Sequence, residues 1–287
     1  MNPEKVTFIN SRGQSVILST SLPYLLESIS GKSDVSANIQ SQSAPYQDGF
    51  TPIDVLLEAR PITLNVSIHG DSRDDLLNNR QHLSSIFNVK LGVGKLIYEN
   101  GETVREIEVV ADGLPQYPVG SGNQSTLWQR SLVNLIAPNP YWKSISITEE
   151  PAFEPLFQFP FEGEFQMGMQ RDRRTIVNDG DSQAPLFVEF FGPALNPKII
   201  NNTTGEYIKI NQQLHENERM LIDTTDGKKS VFFVGSNGDI RNVFNWIDLN
   251  STFFKLEIGE NDIEYTADSD IQGAVVNISY SKLYTAI

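Results

Sequence analysis

Residues 62–69 read Ile62-Thr63-Leu64-Asn65-Val66-Ser67-Ile68-His69. Leu64, Val66 and Ile68 fall on one face and Asn65, Ser67 and His69 on the other, the period of two that a strand with one buried and one wet side imposes. Outward from this stretch the same period dominates. Segments 95–99 and 103–110 flank Asn100-Gly101, a pair that tolerates the positive φ angles of a type I′ turn, so they are read as a hairpin. Its second arm alternates Glu106, Ile107, Glu108 and Val109. Between the two strand regions Ser72 and Asp75 form a capping-box-like start, and Leu76, Leu83 and Phe87 return to one face, which predicts a helix over about 73–88. Segments 5–9, 14–19, 24–30 and 127–136 are further strand candidates. The polar region 35–52 and the loop-like stretch 116–127 are left unassigned.

Ala137-Pro138-Asn139-Pro140-Tyr141-Trp142 interrupts this pattern, because two prolines break any ladder and fix an extended connection. The expected domains are therefore residues 1–143 and 146–287. Beyond the break, strand candidates follow at 174–178, 186–191, 206–210, 219–223, 230–234, 253–258, 261–266 and 274–284. Phe254, Leu256 and Ile258 alternate with Lys255 and Glu257, and Val276, Ile278 and Tyr280 with Asn277 and Ser279. Turn signals at Asn178-Asp179-Gly180-Asp181, Thr204-Gly205, Asp226-Gly227 and Gly259-Glu260-Asn261 punctuate the run, and no helix-period segment intervenes. The fold class expected is mainly β, with a helix-bearing first domain and a β-sandwich second domain.

Composition narrows the function. The 287 residues carry 36 acidic and 22 basic side chains, net −14, which argues against a partner held by phosphate contacts. The excess is uneven: residues 1–143 hold 11 basic and 14 acidic residues, leaving 11 and 22 in 144–287. The absence of cysteine excludes disulfides, thiolate metal sites and cysteine nucleophiles. No signal-peptide pattern opens the chain and no run of about 18 apolar residues occurs, so neither secretion by that route nor a membrane span is expected.

No constellation points to catalysis. His69, His82 and His215 share no metal-binding spacing; polar surface explains His69 and His215, and a partly buried helix position His82. Asn178-Asp179-Gly180-Asp181 and Asp223-Thr224-Thr225-Asp226-Gly227 lack the calcium-loop pattern and are read as turns. Glu149 and Glu154 are the kind of carboxylate pair an acidic chain contains by chance. Gly92-Val93-Gly94-Lys95 is followed by Leu96, not the Ser or Thr of a phosphate loop. The basic residues at 171, 173 and 174 are read as a solvated turn. Phe153, Phe157, Phe159, Phe161 and Phe165 alternate with polar residues, as either a strand entering the sandwich core or an arm packing on a neighbouring subunit. No catalytic residue, cofactor or metal is expected.

A family likeness runs through these same positions. Leu57-Glu58-Ala59-Arg60-Pro61-Ile62, the strand, the helix with Arg80 and the hairpin at Asn100-Gly101 resemble the N-terminal domain of siphovirus distal tail (Dit) proteins. The junction with Pro138, Pro140 and Trp142 resembles that family's exit from the first domain. Asn178, Gly180 and Asp181 with Pro185, then Gly192-Pro193, Asn196-Pro197-Lys198-Ile199, Asn202-Thr203-Thr204-Gly205-Glu206 and Ile222-Asp223-Thr224, are similar to its C-terminal pattern, as is Ser251-Thr252-Phe253-Phe254-Lys255-Leu256 before Gly259-Glu260-Asn261. The resemblance implies a split-barrel-like first domain, a galectin-like second domain and a structural, non-enzymatic virion protein of a phage or prophage. It further implies a hexameric ring at the tail tip, assembled in the host cytoplasm, that joins the tail tube protein to the tip protein and other baseplate proteins. DNA passes through such a ring without specific binding, and no membrane is involved. Ring contacts are expected through the hairpin, at Asn100, Gly101, Ile107 and Val109. The alternative is a carbohydrate-binding module of a host-adhesion device, with host-surface sugar as ligand.

Overall fold

The computed structural model describes residues 4–149, 172–269 and 275–287. The chain divides into two compact units, Met1–Ile145 together with Tyr284–Ile287, and Ser146–Leu283. The expected second domain, 146–287, thus loses its last four residues to the first unit.

In the first unit, strands β1 (Lys5–Ile9), β2 (Ser15–Leu18), β3 (Tyr24–Ser30), β4 (Ala37–Gln42), β5 (Thr51–Leu57) and β6 (Arg60–His69) precede helix α1 (Arg73–Ile86). β7 (Val93–Asn100), β8 (Thr103–Ala111), β9 (Trp128–Ala137) and β10 (Trp142–Lys143) follow. Apart from β4 and β5, and from β10, which pairs with β8 through Lys143 and Glu106, the strands join in the order β2-β1-β7-β8-β9-β6-β3. A parallel bridge from Ser19 to Leu25 draws the two ends together. The seam at β8–β9 is the loose one, since only Val110 and Ala111 pair across it. The result is a split barrel. Ile62, Leu64, Val66 and Ile68 on β6 are fully buried, each contributing about 1.5–3 kcal/mol by removal from water. α1 starts where Ser72 accepts a hydrogen bond from the Asp75 amide (3.1 Å), and it sends Leu76, Leu83, Ile86 and the capping Phe87 into the core. Phe8 stacks on Phe87 at 4.3 Å.

The second unit is a β-sandwich. One sheet runs β11 (Ile147–Glu149), β22 (Val276–Tyr280), β13 (Leu186–Phe191), β18 (Arg219–Asp223), β19 (Ser230–Val234), β20 (Ile240–Asn242). The facing sheet runs β12 (Asp172–Asn178), β21 (Gly259–Thr266), β15 (Lys198–Asn201), β16 (Glu206–Lys209); β14 (Ala194–Leu195) and β17 (Gln213–Leu214) pair separately. Leu186, Val188 and Phe190 with Val276 and Ile278 meet Ile199, Ile208 and Ile263 in a core of their own.

Four expectations need correction. Segment 253–258 is no strand: Phe254 and Leu256 are buried but Ile258 is 60% exposed, and its strand-like pairing is limited to an isolated bridge from Leu256 to Ala184. The hairpin register pairs Asn100 with Thr103, so its two loop residues are Gly101 and Glu102. Of these only Gly101 has positive φ (62°), which suits a type II′ turn and not the I′ turn expected of Asn-Gly. Arg173 and Arg174 lie on β12, not in a turn. His82 is exposed, not partly buried, with Nδ1 2.9 Å from the Tyr24 hydroxyl. Glu154, Arg171 and the stretch 153–165 lie outside the described residues.

Candidate functional site

The unpaired surface of the first unit is a ribbon. β4 and β5 pair only with each other, and every residue from 36 to 56 is exposed. Ile39 stands opposite Val55, at 48% and 55% exposure, and Tyr46, Phe50, Ile53 and Leu56 add further apolar surface. A two-stranded ribbon is marginal in water by itself, and clustered exposed apolar side chains are a feature of interaction surfaces. In sequence, residues 35–52 are polar and carry no assigned element.

The hairpin expected to make ring contacts is differently placed. Ile107 and Val109 are 1% and 0% exposed and fill the barrel core, so they have no surface for a neighbour. β7 is paired along both edges, with β1 and β8. Asn100 donates through Nδ2 to the Tyr98 hydroxyl at 3.3 Å, and Gly101 forms the exposed tip.

At the junction Pro138 is exposed, Trp142 is fully buried, and the Pro140 carbonyl accepts a hydrogen bond from Arg60 Nε (2.7 Å). Arg60 was noted in sequence only as part of a motif. It is in fact fully buried, its Nη1 donating to Gly31 O (3.0 Å) and its Nη2 to Thr285 O (2.6 Å). Desolvation pulls its pKa below the usual guanidinium value, and the nearby Asp34 carboxylate opposes that shift.

The motif positions of the second unit hold its turns. Buried Asn178 donates to the Ser182 and Leu256 carbonyls (3.0 and 3.2 Å) and accepts from the Gly180 amide (3.1 Å). A Cβ on Gly180 would stand 2.8 Å from the Leu283 carbonyl, so the position admits no side chain without a shift. The Asp181 amide bonds the Leu283 carbonyl at 2.7 Å. Gly205, at φ 77°, turns the chain into β16, where Glu206 Oε2 accepts from Thr204 Oγ1. Phe254 is buried in the sandwich core.

Rival chemistries find little geometry. Ser67 Oγ lies 3.0 Å from His69 Nε2, but Ser67 is buried and no carboxylate orients the ring among the described contacts. No group of three His, Asp or Glu suited to a metal occurs among the described residues. No helix among them is long and apolar enough to cross a membrane. An open depression of about 500 Å³ on the outer face of the β12–β21 sheet is lined by Arg173, Thr175, Thr203, Glu260 and Asp262. Arg173 is already paired with Asp262, whose pKa this bond lowers, and no aromatic platform for a sugar ring lines the depression.

Comparison with known proteins bears on the whole arrangement. Residues 11–124 match the family described as phage tail protein RIFT-related domain, and residues 179–284 match the siphovirus-type tail component, C-terminal domain. Among solved structures the chain is similar to the SPP1 Dit (gp 19.1) protein, described as a paradigm of hub adsorption apparatus in Gram-positive infecting phages. The two are 13% identical, with a TM-score of 0.68 over 97% of this chain and 98% of that one. The phage P2 baseplate in its activated conformation with Ca gives a TM-score of 0.57 at 10% identity, again over 97% and 98%. No curated protein sequence matches. With tail-component domains matched in tandem and one known tail fold spanning both units, the chain belongs to the siphovirus distal tail protein family.

Proposed function

We propose that this structural tail protein forms a hexameric ring at the tail tip, held between the tail tube protein above and the tip and baseplate proteins below, with the phage genome passing through its centre. The β4–β5 ribbon carries the reading, since it is an apolar, unpartnered element on the ring-forming unit. Each copy offers one ribbon, and a head-to-tail contact repeated around an axis closes every ribbon onto a neighbour. β7 is paired along both edges and the apolar side chains of Ile107 and Val109 are spent in the core, so the apolar contact is assigned to the ribbon and not to the hairpin.

Charge fits a conduit. Six copies at −14 each carry −84, and fixed negative charge repels DNA phosphates at short range despite screening beyond about 8 Å at physiological salt. Most of that charge belongs to the second unit, which leaves the wall of the channel near neutral or mildly acidic. Negative-stain imaging of the purified full chain tests the proposal: six-fold rings with a central hole are expected, and a monomer at every concentration would overturn it. The same rings are expected to retain no duplex DNA at about 50 mM salt, where phosphate contacts are strongest.

A further inference from the structure

We propose that residues 284–287 act as a clasp, so that the first unit reaches its assembly-competent form only when this segment, which follows the whole second unit in the chain, has docked beside Arg60. The clause about assembly rests on the ring reading above; the clause about folding does not.

Three observations carry it. The Arg60 guanidinium, fully buried, has backbone carbonyls as its hydrogen-bond acceptors, one from each of three distant segments: Gly31, Pro140 and Thr285. A buried cation that loses one acceptor keeps its desolvation penalty without compensation, and backbone carbonyls are acceptors that only correct folding supplies. Next, Tyr284 and Ile287 pack against the barrel core, and the Arg105 guanidinium sits 3.9 Å from the centre of the Tyr284 ring. Finally, the other acceptors cannot move to fill the gap. Gly31 is held at φ 83°, where a Cβ would stand 2.3 Å from the Pro61 carbonyl, and its amide is fixed by Asp34. Pro140 lies in the double-proline junction. The segment therefore supplies an acceptor and a lid of apolar surface that residues 1–145 lack.

Translation makes the order matter. Residues 284–287 leave the ribosome after the entire second unit, so a chain still being made presents a first unit with an unsatisfied arginine and an uncovered core edge. Ring closure would then be restricted to chains whose second unit has already been made.

Hydrogen exchange read by mass spectrometry tests this on the full chain, on a chain lacking residues 284–287, and on the full chain with Tyr284→Ala. The deletion is expected to speed amide exchange in 24–31, 60–69 and 128–143 by about tenfold or more, leaving 186–191 and 219–223 unchanged. Tyr284→Ala is expected to give the same pattern with smaller amplitude, which keeps the test informative where the deletion aggregates. Rings should be lost with the deletion. Unchanged exchange in 24–31 and 138–143, or equal acceleration in both units, would overturn the clasp. If the full chain forms no ring yet the deletion speeds exchange in the first unit alone, the clasp stands and the ring reading fails.

Discussion

Arg60 and Thr285 are joined side chain to carbonyl at 2.6 Å across 225 positions of sequence. The same guanidinium reaches Pro140 and Gly31, so one planar fork fixes three chain segments at once. Lysine presents its donors from a point, not a fork, and is more strongly hydrated. Arg60→Lys is expected to cost the first unit about 2–4 kcal/mol, from one or two lost charge-assisted bonds. Urea unfolding followed by the fluorescence of Trp142, buried in that unit, measures it. A midpoint equal to that of the parent protein would show that the fork is dispensable.

Asn178 is the corresponding tie of the second unit. Asn178→Ala removes two donated bonds and one accepted bond from a fully buried site, with an expected loss of about 2–3 kcal/mol. Asn178→Asp keeps the acceptor for Gly180 but places a charge where no water reaches, so at neutral pH it should be at least as damaging, and mild acid should recover part of the loss. Scanning calorimetry of the whole chain should show the change in one transition and not in the other.

For the ribbon, Ile39→Thr with Val55→Thr replaces an exposed apolar pair by β-branched polar residues that suit a strand equally well. Self-association is expected to weaken by roughly tenfold or more, about 1.4 kcal/mol per contact, with an unchanged circular dichroism spectrum. Rings that persist at low micromolar concentration in light scattering would place the contact elsewhere.

Alkaline pH should act on the first unit through Tyr24. Burial raises its phenol from 10.0 to about 12, with Tyr117 and Asp75 adding to the shift. Because the folded pKa lies above the unfolded one, the neutral phenol stabilises the fold fully below pH 10, and that contribution disappears as pH rises through about 12. Melting of the first unit should therefore decline on the order of 2 kcal/mol faster over this window than in Tyr24→Phe, which has no proton to lose. Parallel pH profiles for the two proteins would refute the assignment.

Elements held by local physics are the ones legible in the sequence. β6 and α1 were legible because alternation and the Ser72 cap need no distant partner. Segment 253–258 misled because alternation was present without a ladder. Its backbone is satisfied by amide side chains instead: Asn178 donates to the Leu256 carbonyl, and Asn261 both accepts from the Glu257 amide and donates to the Glu257 carbonyl. Residues 36–56 left no periodic imprint because no face of the ribbon is buried within the subunit. Arg60 was invisible as a tie because its acceptors at 31, 140 and 285 are brought together only by the finished barrel. Ile107 and Val109 belong with the legible part: their alternation marks side chains that fill the chain's own core.

The return of residues 284–287 to the first unit also has a mechanical side. The chain crosses between the units twice, once near residue 145 and once between 283 and 284. Only the first crossing is a covalent tether to the body of the first unit; residues 284–287 hold there by the Arg60–Thr285 hydrogen bond and the packing of Tyr284 and Ile287, so a protease that cuts the proline junction leaves the halves joined by non-covalent contacts alone. The second unit is thus secured by one covalent strand and one docked end, and the docked end is the part that a pull can undo without breaking a bond of the chain.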